Sequence, residues 1–398
     1  MLTELEQRYR NNLLDSVIPF WQQHSLDRQY GGHQNCLTRD GRIWDPRKYT
    51  WMQGRAAWMF SKLYNEWEQP RTEWLEAARS ILDFLRLHGR DPNGLCYFSL
   101  TREGVPVHRQ RKPYAAFFLA LALIEYSKTG AAGSEGYVAE ARDIFWRMRE
   151  WIADPSLLGR PAMPGGRPVR QLADLYVVLW LAVELLAVDP TDNARYQQII
   201  RDSIADVKQH WLASHRTLLE NLPLDPTSDY RALPETRMLC PGSAIEVSWI
   251  VWHAMEALGD ESDTAWLLDV IEGSLALGWD HEHGGLFYFM DAEGLPPPAL
   301  EASMKLWWPH TEAIYALILA YQKTGEQRWL DWLKRVDAYT FQTFNDPQHG
   351  EWFGYCDRYG RVTHDLKGGP YKGFFHVPRC LLFSLQRLAA IRGSSSLA

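Results

Sequence analysis

The feature that most constrains this chain is an internal repeat. Four segments share one layout: Gly31-Gly32-His33 through Arg39-Asp40-Gly41, Asn93-Gly94-Leu95 through Arg102-Glu103-Gly104, Gly284-Gly285-Leu286 through Asp291-Ala292-Glu293-Gly294, and His349-Gly350-Glu351 through Arg358-Tyr359-Gly360. Each has a glycine, a short aromatic or β-prone run and a polar turn closing on glycine, which is hairpin chemistry. Gly32 and Gly94 lie 62 residues apart, Gly285 and Gly350 lie 65 apart, and Gly94 to Gly285 is 191, close to three such steps. A period near 64 in a chain of 398 residues makes six units, two of them with degenerate hairpins.

Prolines mark the same beat. Pro46, Pro113, Pro168, Pro241, Pro309 and Pro370 each stand ahead of, or at the start of, a strongly apolar run, the longest being Leu172 to Val188 and Ala244 to Leu258. Proline costs little near a helix start, where its missing N–H has no intrahelical partner. Between these runs lie amphipathic stretches with their charges on one face: Arg71 to Leu87, Tyr137 to Ile152, Asn193 to Leu212, Asp263 to Leu277 and Gln327 to Thr343. Runs apolar all round predict an inner layer, and amphipathic runs predict an outer one. The expected fold is therefore all-α, an (α/α)6 barrel of six outer-helix/hairpin/inner-helix repeats. All hairpins precede inner helices, so they should gather on one rim, above one pocket. No linker-like stretch separates the units, which predicts a single barrel domain over residues 1–390. A flexible tail is expected over 391–398, where Gly393-Ser394-Ser395-Ser396 stands.

Composition excludes several classes. The net charge of −7 gives no basic footprint for nucleic acid. Met1 to Arg10 is polar and charged, unlike a secretory signal, and the run Ala173 to Val188 is too short and too interrupted by Asp174 and Glu184 to span a bilayer. Cys36, Cys96, Cys240, Cys356 and Cys380 are scattered and odd in number, which predicts reduced thiols in a cytoplasm and no zinc site. No phosphate-binding loop or dinucleotide fingerprint appears. Nineteen tryptophans supply either stacking platforms for sugar C–H faces or filler for a helix-barrel core.

The repeat places chemistry between each hairpin and the first turns of its inner helix. Those stretches include Lys48-Tyr49-Thr50-Trp51-Met52-Gln53-Gly54-Arg55, Arg111-Lys112-Pro113-Tyr114, Gly165-Gly166-Arg167-Pro168 and Cys240-Pro241-Gly242-Ser243-Ala244-Ile245-Glu246. The fifth runs from Lys305-Leu306-Trp307-Trp308 to Pro309-His310-Thr311-Glu312, and the sixth from Lys367-Gly368-Gly369-Pro370 through Tyr371-Lys372-Gly373-Phe374-Phe375-His376 to Arg379. The two last segments, the stretch Lys48 to Arg55 and Glu351-Trp352-Phe353-Gly354-Tyr355-Cys356-Asp357-Arg358 resemble the N-acylglucosamine 2-epimerase family, over nearly the whole chain from about Phe20 to Leu388. The resemblance implies an (α/α)6 barrel, a monosaccharide substrate and a homodimer, with no required cofactor and ATP as a modulator. It also implies the acylglucosamine subtype, since relatives acting on disaccharides or as isomerases carry an Asn-Met-His cluster where this chain has Gly165 to Pro168.

Epimerisation at C2 of a ring-opened sugar removes a proton α to a carbonyl and returns one to the opposite face. Histidine suits that work, and an Arg or Lys suits the enediolate. By the resemblance, His376 is one catalytic base. The family's second histidine belongs to a Pro-Gly-His-x-x-Glu motif, and here that position is Ser243. Serine takes no carbon-bound proton at neutral pH without a base of its own. Three accounts stand: a substituted site that traps substrate, a naturally weakened member, or a second acid–base group at His310. On any but the last, the chain epimerises slowly and Ser243→His speeds it. Arg55, beside Trp51 and Trp58, is expected to clamp a carbonyl or hydroxyl. Tyr114, Glu246, Lys305, Trp308, Glu312 and Lys372 complete the candidate substrate site, and one of Trp307 and Trp308 is expected in the core. His33, His281 and His283, in turns, are expected to face solvent. The leading reading is interconversion of N-acetylglucosamine and N-acetylmannosamine. The alternatives are mannose 2-epimerisation, aldose–ketose isomerisation, and a sugar- or protein-binding module. Glycoside hydrolysis by Glu246 and Glu312 is a further class.

Overall fold

The computed structural model describes residues 1–160, 166–225 and 227–395. The first outer element is α1 (Leu2–Asn11), a π-helical turn (Asn12–Val17) and α2 (Ile18–His24). Then inner and outer helices alternate: α3 (Thr50–Glu66), α4 (Thr72–His88), α5 (Tyr114–Ser127), α6 (Tyr137–Ala153), α7 (Leu172–Val188) and α8 (Asn193–Gln209). After the short α9 (Pro234–Arg237) come α10 (Pro241–Leu258), α11 (Thr264–Gly278), α12 (Trp307–Thr324), α13 (Gln327–Phe344) and α14 (His376–Ser395). Inner helices touch in ring order, α3 on α5, α7, α10, α12 and α14, and α14 closes back on α3. Each packs outward on its own partner, α4, α6, α8, α11, α13 or α1. This is the expected barrel.

The layers follow from the side chains. Every residue of α5 from Ala115 to Tyr126 is buried, whereas α4 and α13 bury one stripe and leave their charges in water. At one close approach Gly54 of α3 has no room for a side chain, since a Cβ would sit 2.7 Å from the Phe118 carbonyl carbon. Trp58, Trp249, Trp252 and Trp329 are sealed in the core, each fully buried aromatic contributing about 1.5–3 kcal/mol or more. One apolar cluster extends from Leu5 to Leu388.

Short ladders tie the units together at the rim. The residues just before an inner helix pair with the next hairpin: Lys48–Tyr49 with Tyr97–Leu100, Val169–Gln171 with Asn221–Pro223, Met238–Leu239 with Met290–Asp291, and Lys305–Leu306 with Tyr355–Cys356. Beneath them a buried ion pair recurs. Asp27, Asp280 and Asp346 follow three outer helices, and each takes a lysine, Lys48 at 3.0 Å and Lys305 at 3.1 Å from the first position of a rim strand and Lys367 at 2.8 Å from beyond one. Each aspartate also accepts backbone N–H groups of its own turn, as Asp280 does from Glu282 and His283.

Three sequence expectations shift. The helix expected to reach Leu212 ends at Gln209, because Trp211–Leu212 turn into a hairpin with Thr217–Leu218. That hairpin is one of the two degenerate copies. Helix α14 runs on through Ser395, past the expected boundary at 390, and residues 396–398 lie outside the described residues, as does Gly165 of the third pre-helix stretch. His33 does not face solvent. It is completely buried against Trp21, with ring centroids 5.4 Å apart, and burial holds its pKa down at about 3.

Candidate active site

All six inner helices open on one cavity of about 700 Å3. Helical spacing delivers the side chains in pairs: Trp51 with Arg55 on α3, Tyr176 with Trp180 on α7, and Ser243 with Glu246 on α10. Phe117 and Phe118 come from α5, Trp307 and Trp308 from α12, and His376 is the first residue of α14.

The segment before α14 is strapped down to fix His376. Lys372 Nζ donates to Glu351 Oε1 at 2.8 Å and to the Lys367 carbonyl at 2.8 Å. Asn35 Nδ2 donates to the Gly369 carbonyl, and Trp51 Nε1 to that of Pro370. Gly368 runs so close to Asn35 that a Cβ would lie 1.9 Å from its carbonyl oxygen. His376 Nδ1–H then donates to Glu312 Oε1 at 2.8 Å, which leaves Nε2 to the cavity. Burial, with the cations Arg379 and Arg55 nearby, holds the His376 pKa well below its ordinary range. The group is a neutral imidazole with its second nitrogen free on the cavity side.

Behind it lies a buried charge network. Arg379 Nη2 donates to Glu246 Oε1 at 2.8 Å and to Glu312 Oε1 at 2.7 Å, and Trp249 Nε1 donates to Glu312 Oε2 at 3.0 Å. Glu246, Glu312 and His376 offer ligand atoms within 4.8 Å of one another, but the guanidinium supplies the positive charge that an ion would bring. Arg55 differs. It lies against the rings of Trp51, Phe118 and Phe375, 4.4–4.9 Å from their centroids, and makes no ion pair among the described residues. Its Nε is buried without an acceptor, and burial lowers its pKa to about 10. An unpaired guanidinium on a cavity wall awaits an anionic or carbonyl oxygen.

Of the residues singled out by sequence, the cavity collects Arg55, Ser243, Glu246, Trp308 and His376. Glu312 stands behind His376 and orients it. Trp307 and Trp308 both line the cavity, and Trp307 is buried in the apolar core, as was expected of one of the two. His310 does not reach it. Its Nδ1 bonds the Leu306 carbonyl at 2.6 Å, its Nε2 accepts the Leu286 N–H at 2.9 Å, and burial pulls its pKa to about 3. Both nitrogens are spent on backbone, so the structure removes it as a second acid–base group. Lys305 is one of the three repeated rim lysines and belongs to Asp280. Lys372 belongs to Glu351. Tyr114 donates to Asp174 at 3.1 Å and is not a lining residue. Sequence reasoning missed Tyr176, Tyr288 and Tyr355 on the walls. Tyr176 was signalled by its spacing of four from Trp180; the other two belong to the hairpins 284–294 and 349–360, Tyr355 on the rim strand paired with Lys305–Leu306, and the repeat marks those hairpins without saying which of their side chains face the cavity.

The family model of N-acylglucosamine 2-epimerase (GlcNAc 2-epimerase) matches residues 31–380. The chain belongs to the N-acylglucosamine 2-epimerase family. It is 39% identical to N-acylglucosamine 2-epimerase of Mus musculus, covering 95% of this chain and 90% of that one, and 40% identical to the Bos taurus protein of the same name, covering 92% and 87%. Among solved structures it is similar to cellobiose 2-epimerase from Spirochaeta thermophila, with a TM-score of 0.80 at 22% identity over 98% of each chain, a likeness of fold.

Proposed function

We propose that this protein is a sugar 2-epimerase that interconverts N-acetylglucosamine and N-acetylmannosamine. The observation that carries the reading is His376: a neutral imidazole, held at Nδ1 by Glu312 and open at Nε2, in the same cavity as the unpaired guanidinium of Arg55. Nε2 takes the C2 proton of the ring-opened sugar. The electron pair moves toward C1, and the charge gathering on the C1 oxygen is met by Arg55. The aromatic walls hold the sugar's C–H faces and exclude water. Relatives named N-acylglucosamine 2-epimerase, at 39–40% identity, support the acylated amino sugar as substrate.

The reaction is redox-neutral and needs no cofactor. ATP enters the proposal as a modulator, and a cytoplasmic homodimer as the working form. Five buried, unpaired cysteines support a reducing compartment. No described helix is long and apolar enough to cross a membrane. Ser243 favours a second reading, a sugar-binding member of weakened catalysis. Proton NMR in D2O separates the two. An epimerase moves solvent deuterium to C2 and produces the second epimer from either starting sugar; a binding module shifts or broadens the sugar resonances and leaves C2–H intact.

A further inference from the structure

The inward stripes of the inner helices continue below the active site. On α7 the stripe reads Tyr176, Trp180, Glu184, and on α10 it reads Glu246, Trp249, His253. Steps of three or four residues keep one helix face, so each stripe passes from polar through aromatic to polar again. Trp180 and Trp249 meet edge to face, with ring centroids 5.7 Å apart, and close the axis of the barrel. Beneath them lies a second cavity of about 320 Å3, toward the C-terminal ends of α3, α7 and α14, with the exposed Glu66 and Gln386 at its edge. Trp180 belongs to the walls of both cavities.

The charged groups of the lower lining are already matched. Its cations are Lys62 and Arg387, and its carboxylates are Glu66 and Glu184. Lys62 pairs with Glu66 and, at 3.5 Å, with Glu125; Arg387 pairs with Glu256 at 2.9 Å, and Glu184 with Lys128 at 2.7 Å. What remains open is neutral. Arg387 Nη2 lies 3.2 Å from His253 Nε2. A guanidinium only donates, so Nε2 accepts and the imidazole proton sits on Nδ1. Burial, with Arg387 beside it, lowers the His253 pKa to about 3, which keeps the ring neutral. Its Nδ1–H has no acceptor among the described residues, and the ring lines the cavity. The rings of Trp249, Tyr315 and Phe383 complete the wall. Apolar side chains would seal this end of the barrel with no loss of stability, because buried ion pairs barely offset their desolvation. An aromatic cavity of roughly 300 Å3 or more with a few convergent polar groups is instead the build of a small-molecule site.

We infer that the lower cavity is a second binding site, for a neutral monosaccharide. An ion would find no unmatched charge on its wall. An apolar ligand would strand the His253 Nδ1–H, at the cost of an unmade hydrogen bond. A polyhydroxylated ring satisfies both conditions: its C–H face lies on the indoles, and a hydroxyl accepts from Nδ1–H. The inference does not rest on the epimerase reading, since it needs no chemistry in the upper cavity.

Fluorine NMR of the full chain carrying 5-fluorotryptophan tests it. The probe is methyl α-D-glucopyranoside, a neutral sugar that cannot open its ring and is not turned over. Trp308 lines the upper cavity and Trp249 the lower one, and Trp→Phe changes assign their resonances. The Trp249 resonance should move with a midpoint of its own. His253→Phe should raise that midpoint by about tenfold or more, the scale of one hydrogen bond, and leave the response of Trp308 unchanged. Ser243→Tyr, which crowds the upper cavity, should leave the Trp249 midpoint in place. Melting curves show which variants are folded, and Gln386→Phe, at an exposed position of the lower lining, repeats the test if His253→Phe is not. A Trp249 resonance that stays still throughout the titration overturns the second site. So does one that follows Trp308 with a single midpoint in every protein, or one whose midpoint is unchanged in a folded lower-cavity variant.

Discussion

Replacing Glu312 by glutamine tests the engine of the proposed reaction with a change of one atom. Glu312 is a pure acceptor on which four donors converge. His376 Nδ1 at 2.8 Å, Arg379 Nη2 at 2.7 Å and Thr311 Oγ1 at 3.2 Å meet Oε1, and Trp249 Nε1 at 3.0 Å meets Oε2. Glutamine has one carbonyl and one NH2, so some donor must face another donor in either orientation. If the carbonyl stays with His376, the indole N–H of Trp249 is orphaned. If the amide turns over, His376 must present a bare Nδ1, its proton moves to Nε2, and the base is lost. Even in the better orientation, the imidazolium formed as the sugar is deprotonated loses its charge-assisted partner. Such a bond contributes about 1.5–3 kcal/mol, which is roughly a 10- to 150-fold fall in kcat. Arg379 keeps Glu246, so the stability loss stays below the roughly 3–5 kcal/mol of a buried pair broken outright. Initial rates by NMR in both directions, with a melting curve for each protein, make the assay. The expected pattern is kcat and kcat/KM falling together with KM nearly constant, the signature of an interaction made in the transition state. A folded Glu312→Gln protein with unchanged kcat, or with its whole loss in KM, would refute the orienting role.

Arg55→Ala should lower kcat/KM by about a hundred- to thousandfold, the scale of one oxyanion donor, with little change in melting because no ion pair is lost; a comparable fall in melting temperature would mark it as structural. Lys305→Met should do the reverse, costing up to about 3 kcal/mol of stability as Asp280 loses its buried lysine and keeps only Arg358 and its backbone donors, while the kinetic constants of folded enzyme stay near the parent's, and a kcat loss above tenfold would return Lys305 to the site. His310→Gln should likewise spare kcat and lower stability by about 1–3 kcal/mol through the orphaned Leu286 N–H, measured by urea titration. Acid should expose the rim pairs: Asp280 is held down at about 2, with Asp27 and Asp346 also depressed, so their stabilisation is full above the unfolded carboxylate range near 4 and disappears as pH falls toward 2. Equilibrium unfolding that is flat across pH 4 to 2 would contradict this.

The barrel was legible because a repeat must bury each unit against the next. The period, the prolines and the contrast between all-apolar and one-sided runs fixed six inner and six outer helices, and the pre-helix stretches marked the cavity rim. His310 was legible too, though unread. At about 100° per residue it lies some 200° from both Trp308 and Glu312, and those two point inward, so it had to face α13. The rim lysines were in the same position: Lys48, Lys305 and Lys367 each follow an aspartate of the preceding turn, and a residue required in three units is part of the scaffold. What no local pattern carries is convergence across helices. Glu246 and Glu312 become one buried acid pair only because Arg379 reaches both from a third helix, more than sixty residues further along the chain. Propensity and hydrophobic spacing act over a few residues and so are written in the sequence. Which polar groups share one desolvated space is set by ring closure, and that was decided only by the tertiary structure.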